Sequence, residues 1–358
     1  MALSSIDGAV QSGADPFSER SVPRYSASRM LLGARFRFAS DSEALLAVVD
    51  AAYEGLPQHQ WPAAGPELYV ELRLSQRPLS SSHSGPPPVT MQSGAGVLCG
   101  IMDAWNYAVV TAEHNKALVI ASADMLRNTY HLRYELIEFA VFVLASRAMG
   151  LVPLHAACVG QHGQGVLLLG DSGAGKSTLA LGCLLQGLEF LAEDAVFVEP
   201  QRLLATGVAN YLHLQADALQ FVDDAAARHW ISEAPLIRRR SGVQKTEADL
   251  RQSRGSLAAT PLALTSVVFL SSELARDSQV LLRPIPEPGR PGRVAANQPY
   301  AAGQPGWHDF QERLLRLPFY ELRRAEHPRA AVAALRRLID TDLRINTSAQ
   351  GAHHWISS

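Results

Sequence analysis

Polar and apolar residues alternate along ELYVELRL (67–74), the two-residue period of a half-buried strand. Just before it, SEALLAVVDAAYEG, at about residues 41 to 54, places apolar positions at helical spacing behind a serine suited to capping the first turn. GVLCGIM, YAVVTAE and KALVIAS read as a small antiparallel sheet, the last two joined by a hairpin near His114 and Asn115. LRYELIEFAVFVLASRAM (132–149) is apolar around most of a helical circumference, which predicts a helix buried between layers and acting as a hinge to the C-terminal half.

Beyond that helix, VPLHAACV, VLLLG, LEFLAEDAVFV and LTSVVFL are β-rich runs separated by a helix that starts at a glycine loop. This is an α/β pattern. RPLSSSHSGPPPV (77–89) reads as a linker or long loop, and RPIPEPGRPGR, between Arg276 and Pro305, as an exposed loop. AAVAALRRLID near the C-terminus predicts an amphipathic helix. The pattern divides the chain into a disordered start (1–30), a β-rich α+β region (31–150), an α/β nucleotide-binding domain (151–345) and a tail (346–358).

Composition narrows the function classes. With 358 residues, 47% of them hydrophobic, the chain can bury two cores. A net charge of -2 gives no global attraction for nucleic acid or anionic membrane. Three widely spaced cysteines, Cys99, Cys158 and Cys183, fit neither a disulfide framework nor a zinc site. With no signal-peptide pattern and no apolar run of about 18 residues, the expectation is a cytoplasmic protein without a membrane span.

The loop GDSGAGKS, from Gly170 to Ser177, matches GxxxxGK[ST] and sits between an apolar strand and a helix former, as phosphate binding requires. Gly170, Gly173 and Gly175 supply the tight turns, while N–H groups from Ser172, Ala174 and their neighbours through Ser177 face an anion at a helix N-terminus. Asp171 and Thr178 complete the candidate ATP-binding stretch. Lys176 brings a positive charge to the β and γ phosphates, and the Ser177 hydroxyl is a candidate Mg²⁺ ligand.

A hairpin turning in GQHGQG would pair VPLHAACV with VLLLG and bring His155 level with Gly170. His155 then either edges the phosphate site or is a half-buried strand histidine bonded to a carbonyl. Glu193 and Asp194 sit among apolar neighbours, where a buried charge needs a partner such as Mg²⁺. Successive strand residues face opposite ways, so both acids reach one phosphate only if the strand bulges or ends there.

The stretch resembles the catalytic core of the HPr kinase/phosphorylase family, whose members carry a Leu-His strand, a GDSGxGKS loop and an Ala-Asp-Asp-x-Val strand. Here these are Leu154-His155, GDSGAGKS and Ala192-Glu193-Asp194-Ala195-Val196, with His155 lying 21 residues before Lys176 and Asp194 lying 18 after it. The match covers about residues 150 to 200. It is similar to the stand-alone HPr-kinase-like serine kinases, including those that modify ribosomally made peptides.

The resemblance implies an HPr-kinase-like P-loop domain and an ATP-dependent, Mg²⁺-requiring kinase acting on a Ser or Thr of a protein or peptide. Asp194 is then the proton acceptor, Lys176 the phosphate ligand, Ser177 a Mg²⁺ ligand and His155 a catalytic-site residue. Glu193 departs from the family's first Asp but keeps a carboxylate, a candidate catalytic residue and Mg²⁺ ligand, and the sequence leaves open which of Glu193 and Asp194 faces the γ-phosphate. The family's Glu-Leu-Arg-Gly-Leu-Gly segment is replaced by NYLHLQADALQF, and RPGRVAANQ matches its Pro-Gly-Arg-Asn segment only superficially, so reverse dephosphorylation is not expected. The basic segment 236–256, with Arg238, Arg239, Arg240, Lys245, Arg251 and Arg254, is either a solvated loop or a phosphate contact, Lys245 foremost.

Two other classes compete with the kinase. A transport or motor ATPase is suggested by Ser241-Gly242-Val243-Gln244, but VVFL is followed by Ser271, Ser272 and Glu273 where such enzymes need Asp then Glu. A non-catalytic nucleotide sensor or scaffold would fit the departures from the family pattern. A GTPase is disfavoured because the only Asn-Lys, Asn115-Lys116, precedes the loop and lacks a following Asp. The acceptor, the role of residues 1–150 and homo-oligomerisation stay open.

Overall fold

A computed structural model describes residues 22–61, 64–75, 85–275, 277 and 280–353. The fold is mixed α/β. The first sheet contains β1 (Tyr25–Leu31), β2 (Ala34–Ser40), β3 (Glu67–Ser75), β4 (Thr90–Gly94), β5 (Val97–Asp103), β6 (Asn106–Thr111) and β7 (Lys116–Ser122), in the order β1-β2-β3-β7-β6-β5-β4. Its central strands obey the two-residue period: Phe36 and Phe38 are buried, as are Leu68, Val70 and Leu72, while Arg35 and Arg37, which alternate with the phenylalanines, are exposed. The helices Glu43–Tyr53 and Glu138–Met149 share one core with that buried set.

The hairpin expected near His114 and Asn115 is present, with Asn115 in the left-handed region at φ 55°. The apolar segment 132–149 opens with π-helical turns, Leu132–Ile137, before the α-helix. It lies between layers as its periodicity predicts, because Phe142 reaches Phe197 of the second sheet, ring centres 5.0 Å apart.

The second sheet is built from β8 (Val152–Leu154), β9 (Ala157–Gln161), β10 (Gln164–Leu169), β11 (Glu189–Ala192), β12 (Val196–Glu199), β13 (Leu204–Gly207), β17 (Leu262–Leu274), β18 (Leu282–Pro284) and β19 (Phe319–Arg324). β10, β17 and β19 run parallel. In β10, Val166 and Leu168 face one core with the helices Lys176–Leu185 and Pro328–His353, while Leu167 and Leu169 face another with Trp307 and Phe310. Burial on both faces explains why VLLLG shows no alternation. A small third sheet, β14 (Tyr211–Leu214), β15 (Leu236–Arg238) and β16 (Gln244–Asp249), has the order β14-β16-β15.

The main strand order of the second sheet, β11-β9-β10-β17-β13-β12-β8, constrains its shape. β8 lies at one end and β9 next to the other, yet only residues 155 and 156 join them. β11 and β12 have the same relation across residues 193–195. Such links span roughly 7–11 Å of chain, so the sheet must curl toward closure. Both links lie on the seam.

Several expectations change. VPLHAACV is two strands, because β8 pairs with β12 and β9 with β10. RPIPEPGRPGR is not an exposed loop throughout: Arg290–Asn297 is a helix anchored by buried Val294. The basic segment is a β15–β16 hairpin rather than a solvated loop, since its strands ladder and Ile237, Thr246 and Ala248 are buried. Within the 1–30 segment expected to be disordered, Tyr25–Leu31 pairs with β2; within the expected tail, the backbone stays helical to His353. Residues 1–21, 76–84 and 354–358, including most of the expected 77–89 linker, lie outside the described residues.

Candidate functional site

The glycine loop joins β10 to the helix Lys176–Leu185, the strand–loop–helix context that the sequence predicts. Gly173 and Gly175 take φ of 84° and 93°, which residues with a Cβ resist, and a Cβ at either would meet nothing within 4 Å. The backbone conformation, not crowding, demands glycine there. Lys176 is 8% exposed and folds back on the loop, its Nζ donating to the carbonyl of Gly170 at 2.6 Å and of Asp171 at 3.2 Å. Burial pulls its pKa below the ordinary lysine value, against the attraction of Asp194, Glu193 and Asp171.

His155 is brought to this loop by register. The turn of the β9–β10 hairpin falls at His162 and Gly163, both at positive φ, and Ala157 pairs with Leu168. Two residues further, in the break between β8 and β9, His155 stands level with Gly170. The break leaves its side chain 50% exposed and outside any strand. Gln298 holds the backbone in place, accepting from the His155 N–H at 2.8 Å and donating to its carbonyl at 2.9 Å.

β11 ends at Ala192, so the condition under which both acids can reach one region is met. A tight turn comes next, the Ala195 N–H donating to the Glu193 carbonyl at 2.9 Å. Asp194 sits at φ 72°, a costly conformation for a residue with a Cβ, and it is over-determined by its partners. Its Oδ1 lies 3.1 Å from His155 Nδ1. Its Oδ2 accepts from Arg239 at 2.9 Å and from the Tyr134 hydroxyl at 3.0 Å. Burial raises the Asp194 pKa, but His155 and the Arg239 guanidinium outweigh it and hold the carboxyl far below the usual carboxylate range. His155 Nδ1 is also 3.2 Å from the Asp194 carbonyl, so the carbonyl partner and the position at the phosphate loop coexist.

Glu193 turns the other way and accepts from the Ser177 hydroxyl. Its Oε2 is buried with no hydrogen-bond partner among the described residues. Burial first, then the charge of Asp194, raises its pKa, while His213, Ser177 and Lys245 pull it down. An orphaned carboxylate oxygen beside a hydroxyl is the oxygen donor set that Mg²⁺ takes. The two residues therefore fit that ion.

Four residues at the site escape the sequence reading of roles. Arg239 lay in the named basic run, but only the hairpin register separates it from Arg238, which is exposed, and from Arg240, which pairs with Glu135 at 2.6 Å. Tyr134 lay in a helix judged only by its apolarity, and the Arg239 guanidinium covers its ring at 4.9 Å. His213, bonded to Glu247 at 2.9 Å, and Gln298 gave no signal. Lys245 lies close enough to influence both Lys176 and Glu193 through its charge, whereas Arg239 makes the direct contact with Asp194.

No family model matches the sequence, and no curated protein matches it. Among solved structures the chain is similar to one described as the structure of the Hpr(Ser) kinase/phosphatase from Coxiella burnetii. The identity is 12%, covering 57% of this chain and 98% of that one, with a TM-score of 0.29. At that score the chemistry must rest on the site itself.

A cavity of about 590 Å³ opens beside these residues. Gly170, Asp171, Ser172, His155 and Asp194 form its polar end. No helix among the described residues is long and apolar enough to cross a membrane.

Proposed function

We propose that the chain is an ATP-dependent, Mg²⁺-requiring kinase that transfers the γ-phosphate to a Ser or Thr hydroxyl of a protein or peptide. The observation that carries this reading is the turn at Glu193–Ala195, which aims one carboxylate at Ser177 and the other at the open side of the glycine loop, beside His155. A nucleotide-binding loop alone needs neither.

In this reading, the loop N–H groups and Lys176 hold the triphosphate. Asp194, Glu193 and Asp171 favour the charged form of Lys176 against its burial. Ser177 and Glu193 would hold Mg²⁺, which when bound neutralises charge on the phosphates. Asp194 orients the acceptor hydroxyl. A carboxylate offers about four acceptor positions, and His155, Arg239 and Tyr134 fill three. The remaining one can take the acceptor O–H. As the acceptor oxygen bonds to phosphorus and the bond from phosphorus to the β–γ bridging oxygen breaks, the hydroxyl proton passes to Asp194 and ADP leaves. Little basicity is needed, since phosphoryl transfer is dominated by positioning and charge neutralisation.

Labelled ATP and Mg²⁺ supplied with Ser- and Thr-containing peptides should give phosphopeptide with the wild-type chain and almost none with Asp194→Asn. Transfer unaffected by that substitution would sink the assignment. Phosphate release without any phosphorylated product would favour an ATPase, and binding without turnover a sensor.

A further inference from the structure

The cavity reaches well beyond the groups that phosphoryl transfer uses. Its inner wall is apolar: Phe139, Phe142 and Val143 from the helix Glu138–Met149, with Leu154 and Phe197 from β8 and β12. The segment Ala296–Ala301 closes the opposite side, where Tyr300 stands at the rim with 59% of its surface exposed. A volume of about 590 Å³ falls within the roughly 300–1,000 Å³ of ligand pockets.

Position decides which substrate would enter. The later part of the loop, with Lys176 and Ser177, grips the β and γ phosphates and the metal. The cavity touches instead the loop's first residues, Gly170 to Ser172, together with His155 and Asp194. It therefore lies past the γ-phosphate, on the acceptor's side.

Away from the glycine loop, Gln298, Asn297 and Ser146 are already engaged, while Asp171, Ser172 and His155 keep to the polar end. Gln298 is bonded to the backbone of His155 and to Asn297, and the Ser146 hydroxyl donates to the Phe142 carbonyl at 2.7 Å. Asp194 keeps a single acceptor position, the one that takes the substrate hydroxyl. A polar metabolite would lose its hydration here and find few partners. An apolar side chain would lose nothing, and Tyr300 at the rim offers an aromatic face to cover it.

We infer that this cavity is a specificity pocket for the acceptor: it takes a large aliphatic or aromatic side chain adjacent to the Ser or Thr that Asp194 orients, so the substrate is a peptide segment with that apolar neighbour. The inference rests on the kinase reading. The occupant is a side chain of the substrate, and its backbone runs across the open mouth beside Tyr300.

The test uses the full chain, MgATP and octapeptides carrying one serine in an alanine background, with Phe, Leu, Ala or Lys immediately before or after it. Phe or Leu on one side should raise kcat/KM about tenfold or more over Ala, and Lys should not. Val143→Trp, which fills the cavity, and Tyr300→Ala, at a surface-exposed position, should each shrink that ratio while leaving the KM for ATP unchanged. Equal turnover of all peptides, or a preference that survives both variants, overturns the pocket and leaves the kinase standing. Phosphorylation of small apolar alcohols but no peptide also overturns it. No label on any acceptor defeats the kinase reading, and the pocket falls with it.

Discussion

Glu193 and Asp194 are neighbours in sequence with opposite electrostatics, and each makes its own prediction. Asp194 is stabilised as an anion by His155 and Arg239, so Asp194→Asn leaves the Arg239 guanidinium without its carboxylate. We expect transfer to fall by about 10²–10⁴-fold and the melting temperature to fall as well. Glu193 is the reverse case. Its folded pKa is raised, so the folded chain holds its proton more tightly than the unfolded chain, whose glutamate titrates near about 4.3. Its contribution to stability is fully present below that value, and is lost as pH rises through the raised folded value. Glu193→Gln, melted in EDTA without nucleotide, should therefore be more stable than wild type by about 1–3 kcal/mol, with a larger gain at pH 8 than at pH 5. The same variant should need more Mg²⁺ for transfer. A Glu193→Gln melting curve identical to wild type at both pH values would contradict the buried orphan oxygen. Sequence singled out both acids, but their different surroundings come from a turn at positive φ that no residue type announces, since Asp194 is not a glycine.

At the level of elements, the site depends on where two strands stop. Gly207 on β13 lies behind the end of β11, and a Cβ there would come within 2.3 Å of the Ala192 Cβ and 3.4 Å of the Ala195 carbonyl oxygen. Gly207→Ala should cost about 1–3 kcal/mol through overpacking, read as a lower urea midpoint, and should reduce transfer further by displacing the 193–195 turn. The strand–loop–helix unit was legible because glycines at φ-demanding positions and a lysine-serine helix start carry their function in residue type. The break of VPLHAACV was not legible. Both halves are apolar, and only their pairing partners, β12 for one and β10 for the other, separate them.

The whole molecule is tied together by a buried charge network that passes from the first sheet's helix to the third sheet. Arg133 pairs with Glu138 at 2.7 Å and with Glu247, and Glu247 also meets His213. Asn210 donates to Glu138 at 2.9 Å. Removing one member leaves buried charge unmatched, so Arg133→Met should cost about 3–5 kcal/mol of stability, measured by denaturant unfolding. Because His213 also acts on Glu193, the same change should alter Mg²⁺ dependence. A buried histidine, His59, adds a second tie: Nδ1 lies 2.7 Å from Thr206 Oγ1 and Nε2 2.9 Å from the Ala258 carbonyl. Burial lowers its pKa, outweighing the Ala258 contact.

The sequence by itself determined the α/β pattern, the glycine loop and the buried helix at 132–149. These arise from periodicity and residue chemistry, which act over a few neighbouring positions. Only the tertiary structure decided that Arg239 rather than Lys245 meets Asp194, that Tyr134 and Gln298 belong to the site, and that an apolar cavity lies beside it. These depend on a sheet curling until residues 155 and 194 meet across its seam, and on a hairpin register that selects one arginine of three. Contacts between residues 39 to 143 positions apart are set by packing, which no local pattern encodes.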